Sequence, residues 1–290
     1  MSGPAGRLDA VVICGGQWHD FDYARLHLLV LLADHETVRT RVFDDYEGAS
    51  TAIDDADLLI TYTCNRIPGE AAQRSLTEFL ARGGRWLALH ATNSAIEPTP
   101  PGSPSKYVTP RTMGVLPQLV GSQFLGHPPI APYRVEFTDP DHPLVAGVEP
   151  FNAVDELYVS ELFEPIEVLA HTRFVGESTG FAEGHTTSDD PLPVLYLKKH
   201  GAGTVCYFTL GHCRGRFDVQ DLGIDDLGRV DRGSWEVPEY RTILGRCVEW
   251  AVRGTLEFRR EQGSPEAAAR PSISASGAHH SGRFEKNSSP

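Results

Sequence analysis

Sulfur is scarce in this chain: 290 residues include five cysteines, and no two of them form a C-x-x-C pair. That odd count, at Cys14, Cys64, Cys206, Cys213 and Cys247, excludes a disulfide framework and a paired-thiolate metal site, and it suits a reducing compartment. Long apolar runs are missing too. No stretch approaches the roughly 18 apolar residues that a bilayer span needs, and the N-terminus shows no basic region followed by an apolar one. The expectation is a cytoplasmic protein without membrane contact. Positive charge is in short supply, with 26 Lys and Arg against 39 Asp and Glu. Residues 1–254 alone carry 21 basic and 35 acidic side chains, a balance that repels phosphate backbones and argues against nucleic acid and anionic membranes as partners. G-x-G-x-x-G and G-K-[ST] are absent, so no nucleotide cofactor is expected. The close ligand spacing of H-E-x-x-H and the calcium-loop pattern are absent as well.

What is present is an alternation of strand and helix patterns. Leu8 to Cys14 is a short valine-rich run closed by Gly15-Gly16, which predicts a buried first strand. Tyr23 to Ala33 follows with Leu and Val at helical spacing and with Asp20 or Asp22 as N-cap. Thr37 to Phe43 and Asp57 to Tyr62 read as strands, Glu70 to Arg82 as an amphipathic helix stopped by Gly83-Gly84, and Arg85 to Leu89 as the next strand. Later strands are predicted at Tyr133 to Thr138, Glu167 to Thr172, Val194 to Lys199 and Thr204 to Leu210, with a final helix over Pro238 to Val252. This rhythm implies an α/β protein with a mostly parallel sheet and helices on both faces. From Thr255 onward Ser, Ala, Gly and Pro dominate and periodicity fades, so residues 1–254 read as one domain and 255–290 as a disordered tail. The prolines between Pro98 and Pro110 break regularity, and Glu97 to Pro110 reads either as a cover over the cleft or as a subunit contact in a homo-oligomer. The acidic loop Asp218 to Trp235 reads as a charged lid.

Polar clusters fall where strands end: Gly15 to Asp20, His90 with Asn93, Phe124 to Pro128, Asp155 to Tyr158, and Gly211-His212-Cys213. In open α/β sheets, ligands gather outside the carboxyl ends of the strands. The most telling stretch is Arg85 to Ala91, an apolar run that ends on His90 and continues into small residues, as a strand-turn-helix elbow does. Any one of these histidines reads equally as a hydrogen-bonding core or loop residue. Their recurrence at strand ends favours a shared cleft in which His19, His90 and His212 converge. Trp18, Phe21 and Phe124 supply either aromatic walls for a sugar ring or core packing. Asp155-Glu156-Leu157-Tyr158 is either a solvated strand edge or part of the site.

Taken in order, Gly15-Gly16 with His19-Asp20, Gly83-Gly84 leading to Leu89-His90-Ala91, Gly121 to His127, Asp141-His142-Pro143, Asp155 to Tyr158, and Thr209-Leu210-Gly211-His212 resemble the ThuA-like (trehalose utilisation) proteins, over residues 8–254. The resemblance implies the flavodoxin-like fold of the class I glutamine amidotransferase-like superfamily. It also implies a cytoplasmic role in sugar metabolism, in the handling of disaccharides and their keto derivatives. That superfamily places a cysteine at the elbow and pairs it with a histidine after a late strand; His90 looks like the occupant of the first position and His212 of the second. An imidazole is a poor substitute for a thiolate in acyl transfer, so glutamine hydrolysis is not expected. Two facing imidazoles suit either general acid/base work or, with a third ligand, a divalent metal, zinc being favoured.

The expected catalytic residues are therefore His90, His212 and Glu156. A small carbohydrate would be bound by Gly16, Trp18, His19, Asp20, Asn93, Phe124, His127, Asp155 and Tyr158, and the candidate metal ligands are His19, His90, His127 and His212. Two other readings compete: a non-catalytic module that binds a sugar or a partner protein, and a cysteine hydrolase built on Cys213 or Cys64.

Overall fold

The computed structural model describes residues 7–263; the tail expected beyond Gly263 lies outside the described residues. Leu8–Gly16 (β1) is apolar along most of its length because its residues feed two layers at once. Leu8, Ala10, Val12 and Cys14 join one core with the helices Phe21–Ala33 (α1) and Pro238–Gly263 (α5). Val11 and Ile13 face the other, with Tyr46–Asp54 (α2), Glu70–Ala81 (α3) and Leu116–Val120 (α4). The strands that follow are Val38–Phe43 (β2), Leu58–Cys64 (β3), Arg85–Leu89 (β4), Glu97–Pro98 (β5), Tyr107–Val108 (β6), Ser122–Gly126 (β7) and Ala131–Phe137 (β8). Phe151–Asp155 (β9), Val159–Leu162 (β10), Glu167–Thr172 (β11), Leu192–His200 (β12) and Gly203–Phe208 (β13) complete them.

One nine-stranded sheet runs in the order β2-β1-β3-β4-β13-β12-β11-β8-β9. Its first five strands are parallel, as the βαβ rhythm requires, and four antiparallel strands extend it. Two small antiparallel ribbons, β5 with β6 and β7 with β10, stand apart from it. Among the described residues, no helix is long and apolar enough to cross a membrane.

Several elements depart from the sequence expectations, among them α2 and the end of α5. The helix α2 is unanticipated because Gly48, Ser50 and Thr51 are weak helix formers; it forms because the Asp45 side chain accepts the Gly48 N–H and because Tyr46, Ala49, Ala52 and Ile53 bury a face against the sheet. The boundary at residue 254 is also too early. Helix α5 continues through Gly263, with Thr255 buried, Leu256 packed on the core and Arg259 paired with Asp57.

The parallel half brings the carboxyl ends of β1, β3, β4 and β13 side by side. A buried carboxylate fixes the loops beyond them. Asp155, expected to bind the carbohydrate, instead accepts backbone N–H groups from Gly211 (3.0 Å), His212 (3.2 Å), Ser234 (3.2 Å) and its neighbour Glu156 (2.8 Å). It thereby joins the end of β9 to the chain after β13 and to the 3₁₀ turn Gly233–Glu236. Asp155→Ala leaves these donors unpaired in the interior and is expected to cost roughly 3 kcal/mol or more; Asp155→Asn, which keeps one acceptor, is expected to lose less. Urea denaturation of the two variants checks the order.

Candidate active site

Three turns deliver the central residues. β1 ends at Gly16, where the backbone of β3 comes so close that a Cβ would stand 2.0 Å from the Cys64 carbonyl oxygen, at φ +143°. The sequence expectation places Gly16 against a ligand; the structure uses it for this close approach of two strands. Trp18 and His19 follow. Beyond β4, His90 opens the 3₁₀ turn His90–Asn93 with φ 45°. Trp18, Asn65 and His90 are the non-glycine residues with left-handed backbone among the described residues, and all three stand at this end of the sheet. Such conformations persist where surrounding contacts over-determine them. The Tyr207 hydroxyl donates to the His90 carbonyl, and the Asn65 amide ties Gln17 to Ile96. The third turn, after β13, carries Thr209 through His212.

These turns bring the rings of His19, His90 and His212 together, with centroids 4.8 Å (19 to 90), 5.4 Å (19 to 212) and 5.8 Å (90 to 212) apart. Glu156, from the corner between β9 and β10, sits among them. Its Oε2 lies 3.4 Å from His90 Nε2 and 3.9 Å from His19 Nε2, and its Oε1 lies 3.1 Å from His212 Nδ1. His127 Nε2 and the Arg214 guanidinium each approach Oε1 to 3.6 Å. One ligand atom from each of His19, His90, Glu156 and His212 falls within 4.8 Å of the others, so among the described residues these four form the group with metal-ligand spacing. His127, the fourth histidine expected as a ligand, lies outside that group and faces a cavity.

The cavity measures about 200 Å³. Its walls are Trp18, Tyr107, Phe124, Tyr158 and Phe181, and its polar end presents His19, His127, Glu156 and Arg214. His90 and His212 are fully buried behind that end. Asp20 and Asn93 stand outside the lining. Asp20 caps α1 and pairs with Arg232 at 2.6 Å, while the Asn93 amide donates to the Ser122 hydroxyl. The sequence reading misses Arg214, Tyr107 and Phe181. Arg214 follows the His212-Cys213 pair directly and was within reach of the reading; Tyr107 and Phe181 arrive through irregular segments that carry no periodic signal. The segment from Glu97 folds as the β5–β6 ribbon, and it brings Tyr107 over the cavity. Leu222, from the acidic loop, joins the lining, and Asp221 beside it accepts the Trp18 indole N–H at 2.9 Å.

Burial alone would raise the Glu156 carboxyl, but the imidazoles of His212, His127 and His19 outweigh it and hold the group well below the usual carboxylate range. Burial pushes His19 down to about 4. For His212 the charge of Glu156 overcomes the burial penalty and raises the imidazole above its ordinary value. Burial also lifts the Cys213 thiol to about 12 and the Cys64 thiol higher still, which removes the thiolate that a cysteine hydrolase needs. The unfolded chain takes up the His19 proton near 6.5 and the folded chain only near 4, so stability falls as pH drops between those values, by roughly 3 kcal/mol. Glu156 adds to the loss below 4.5, whereas the raised His212 contributes stability below 6.5 that fades as pH rises through its folded value. His19→Gln is therefore expected to lose less melting temperature than the parent between pH 7 and pH 4.5, measured in chelating buffer.

A family model described as trehalose utilisation, ThuA, matches residues 11–222. Among solved structures, the chain is similar to a ThuA-like protein from Parabacteroides merdae, at 16% identity and TM-score 0.55, with 86% of this chain and 91% of that one covered. A ThuA-like protein from Bacteroides uniformis aligns at 14% identity and TM-score 0.57, over 87% of this chain and 94% of that one. At these identities the likeness is one of fold. No curated protein matches the chain. The family match spans most of the residues that build the sheet and the cavity, and the chain belongs to the ThuA, or trehalose utilisation, family.

Proposed function

We propose that the protein is a cytoplasmic enzyme that acts on a sugar or keto-sugar, gripping the ring between aromatic walls and moving protons at the polar end of the cavity. The observation that carries this reading is the meeting of those two halves in one hollow: Trp18, Tyr107, Phe124, Tyr158 and Phe181 on one side, and Glu156 with His19, His127 and Arg214 on the other. Sugar rings present apolar C–H faces to aromatic planes and hydroxyls to charged groups, which is the division the lining makes. A volume of about 200 Å³, below the roughly 300–1,000 Å³ of drug-sized sites, favours one ring at a time. Membership of the trehalose utilisation family supports a carbohydrate over other small polar substrates.

Burial divides the roles. His90 and His212 are enclosed and act through Glu156, so the groups that meet the substrate are Glu156, His19, His127 and Arg214. A carboxylate held well below its usual range is a weak base and a strong electrostatic partner. Glu156 thus stabilises positive charge on its neighbours, and His127, half-buried in the cavity and 3.6 Å from Glu156, is the group placed to carry a proton to or from the sugar. Arg214 stands ready to polarise an oxygen. Lyase, isomerase and hydrolase steps on a keto-sugar share this need for one proton carrier beside one polarised oxygen.

Turnover of keto-disaccharides by the purified full chain tests the proposal. His127→Gln and Glu156→Gln are expected to lower kcat/KM by about 10²- to 10⁴-fold with circular dichroism unchanged. Phe181→Ala is expected to raise KM several-fold and leave kcat near the parent value. Sugar binding without turnover across the substrate panel would replace the enzyme by the binding module.

A further inference from the structure

Lone pairs collide at the buried end of the cavity. His19 Nδ1 lies 2.9 Å from the Gln17 carbonyl oxygen and His90 Nδ1 lies 2.9 Å from that of Thr209. A carbonyl can only accept, so each Nδ1 carries the hydrogen and, in a neutral ring, each Nε2 is left as an acceptor. Those two Nε2 atoms are 3.0 Å apart, and Glu156 Oε2, a third acceptor, lies 3.4 and 3.9 Å away. The Tyr158 hydroxyl, 3.3 Å from His90 Nε2, can serve one of them. His212 deepens the imbalance. It is fully buried, yet neither ring nitrogen makes a well-formed hydrogen bond: Nδ1 has only the Glu156 carboxylate at 3.1 Å and Nε2 only the Asp231 carboxylate at 3.9 Å. A buried imidazole whose two nitrogens both lack a good partner, beside two facing acceptors, leaves space for a cation to satisfy them.

We infer that His19, His90, His212 and Glu156 form a binding site for one divalent first-row transition ion of the zinc type. Four donors around such an ion, at about 2.0–2.2 Å each, stand about 3.4 Å from one another. Here His19 and His90 Nε2 are 3.0 Å apart, the Glu156 oxygens lie 3.1 to 3.9 Å from the three imidazoles, and one donor atom from each of the four residues falls within 4.8 Å of all the others, a group that closes on an ion by small side-chain shifts. Three imidazoles and one carboxylate suit zinc and its neighbours, whereas magnesium and calcium prefer oxygen. The carbonyls on the two Nδ1–H groups are the outer contacts that orient metal-bound histidines and fix their tautomer. The site deepens the sugar-processing proposal and rests on it for its purpose: an ion held by these donors would act as a Lewis acid on a substrate oxygen by taking that oxygen as a fifth ligand or in place of Glu156, leaving His127 and Arg214 free in the cavity.

Cobalt(II) titration of the full chain, freed of metal by chelation, reads the site without any substrate. The expected result is one equivalent bound with visible d–d absorption, displaced by zinc. His90→Ala and Glu156→Gln, each checked for folding by circular dichroism, are expected to weaken binding by more than about 100-fold, and His279→Ala/His280→Ala in the terminal segment to leave it unchanged. A folded chain that takes up no cobalt or zinc, or that binds it equally well in His90→Ala and Glu156→Gln, overturns the inference and assigns the shared space to a proton. Sugar turnover that survives exhaustive chelation also overturns it while sparing the enzyme; stoichiometric binding without turnover supports the site and removes the enzyme.

Discussion

The carbonyl oxygens of Gln17 and Thr209 take the Nδ1 hydrogens of His19 and His90, and the opposite ring nitrogens are left facing each other with no hydrogen to share. Much else at this end of the molecule follows from that. The two carbonyls belong to turns leaving β1 and β13, strands that the sheet order separates by β3 and β4, so the tautomers depend on the parallel register of four strands. Left-handed backbone at His90, and a backbone approach at Gly16 that no Cβ could enter, are the local distortions that aim the rings. A polar cluster of this kind is costly to bury, and here the rings of Phe21, Tyr62 and Tyr158 pack against its histidines.

Adjacent carboxylates show how position divides labour. Asp155 and Glu156 are both buried, yet Asp155 turns to backbone N–H groups and holds loops together, while Glu156 turns to imidazoles and a guanidinium at the cavity. Successive residues on extended chain point to opposite sides, which is why one can serve the scaffold and the next the site. The negative balance of the whole chain does not reach into the cavity, where Glu156 is surrounded by groups able to carry positive charge.

The parallel half of the fold was legible because β1, β3 and β4 are largely buried and read as apolar runs, with glycine pairs closing β1 and preceding β4. Helix α1 was legible apart from its first two residues, the structure choosing Asp20 over Asp22 as its cap, and α3 was legible to its stop at Gly83-Gly84. Helix α2 was not, since its nine residues hold together by packing rather than by propensity. The short strands β7, β9 and β10 were missed because four or five residues are too few to set a pattern apart from the loops around them.

Histidine at the strand-end turns, glycine where strands close up, and the acid pair Asp155-Glu156 were all determined by the sequence, because residue type and local spacing suffice to mark them. Which acid faces the cavity, which histidines line it and which lie behind, and that Tyr107, Phe181 and Arg214 complete it, were decided only by the tertiary structure. The physical reason is range. A strand end announces itself through a few neighbouring residues, whereas a cavity is made by segments far apart in the chain, whose meeting depends on sheet order and on the packing of both faces.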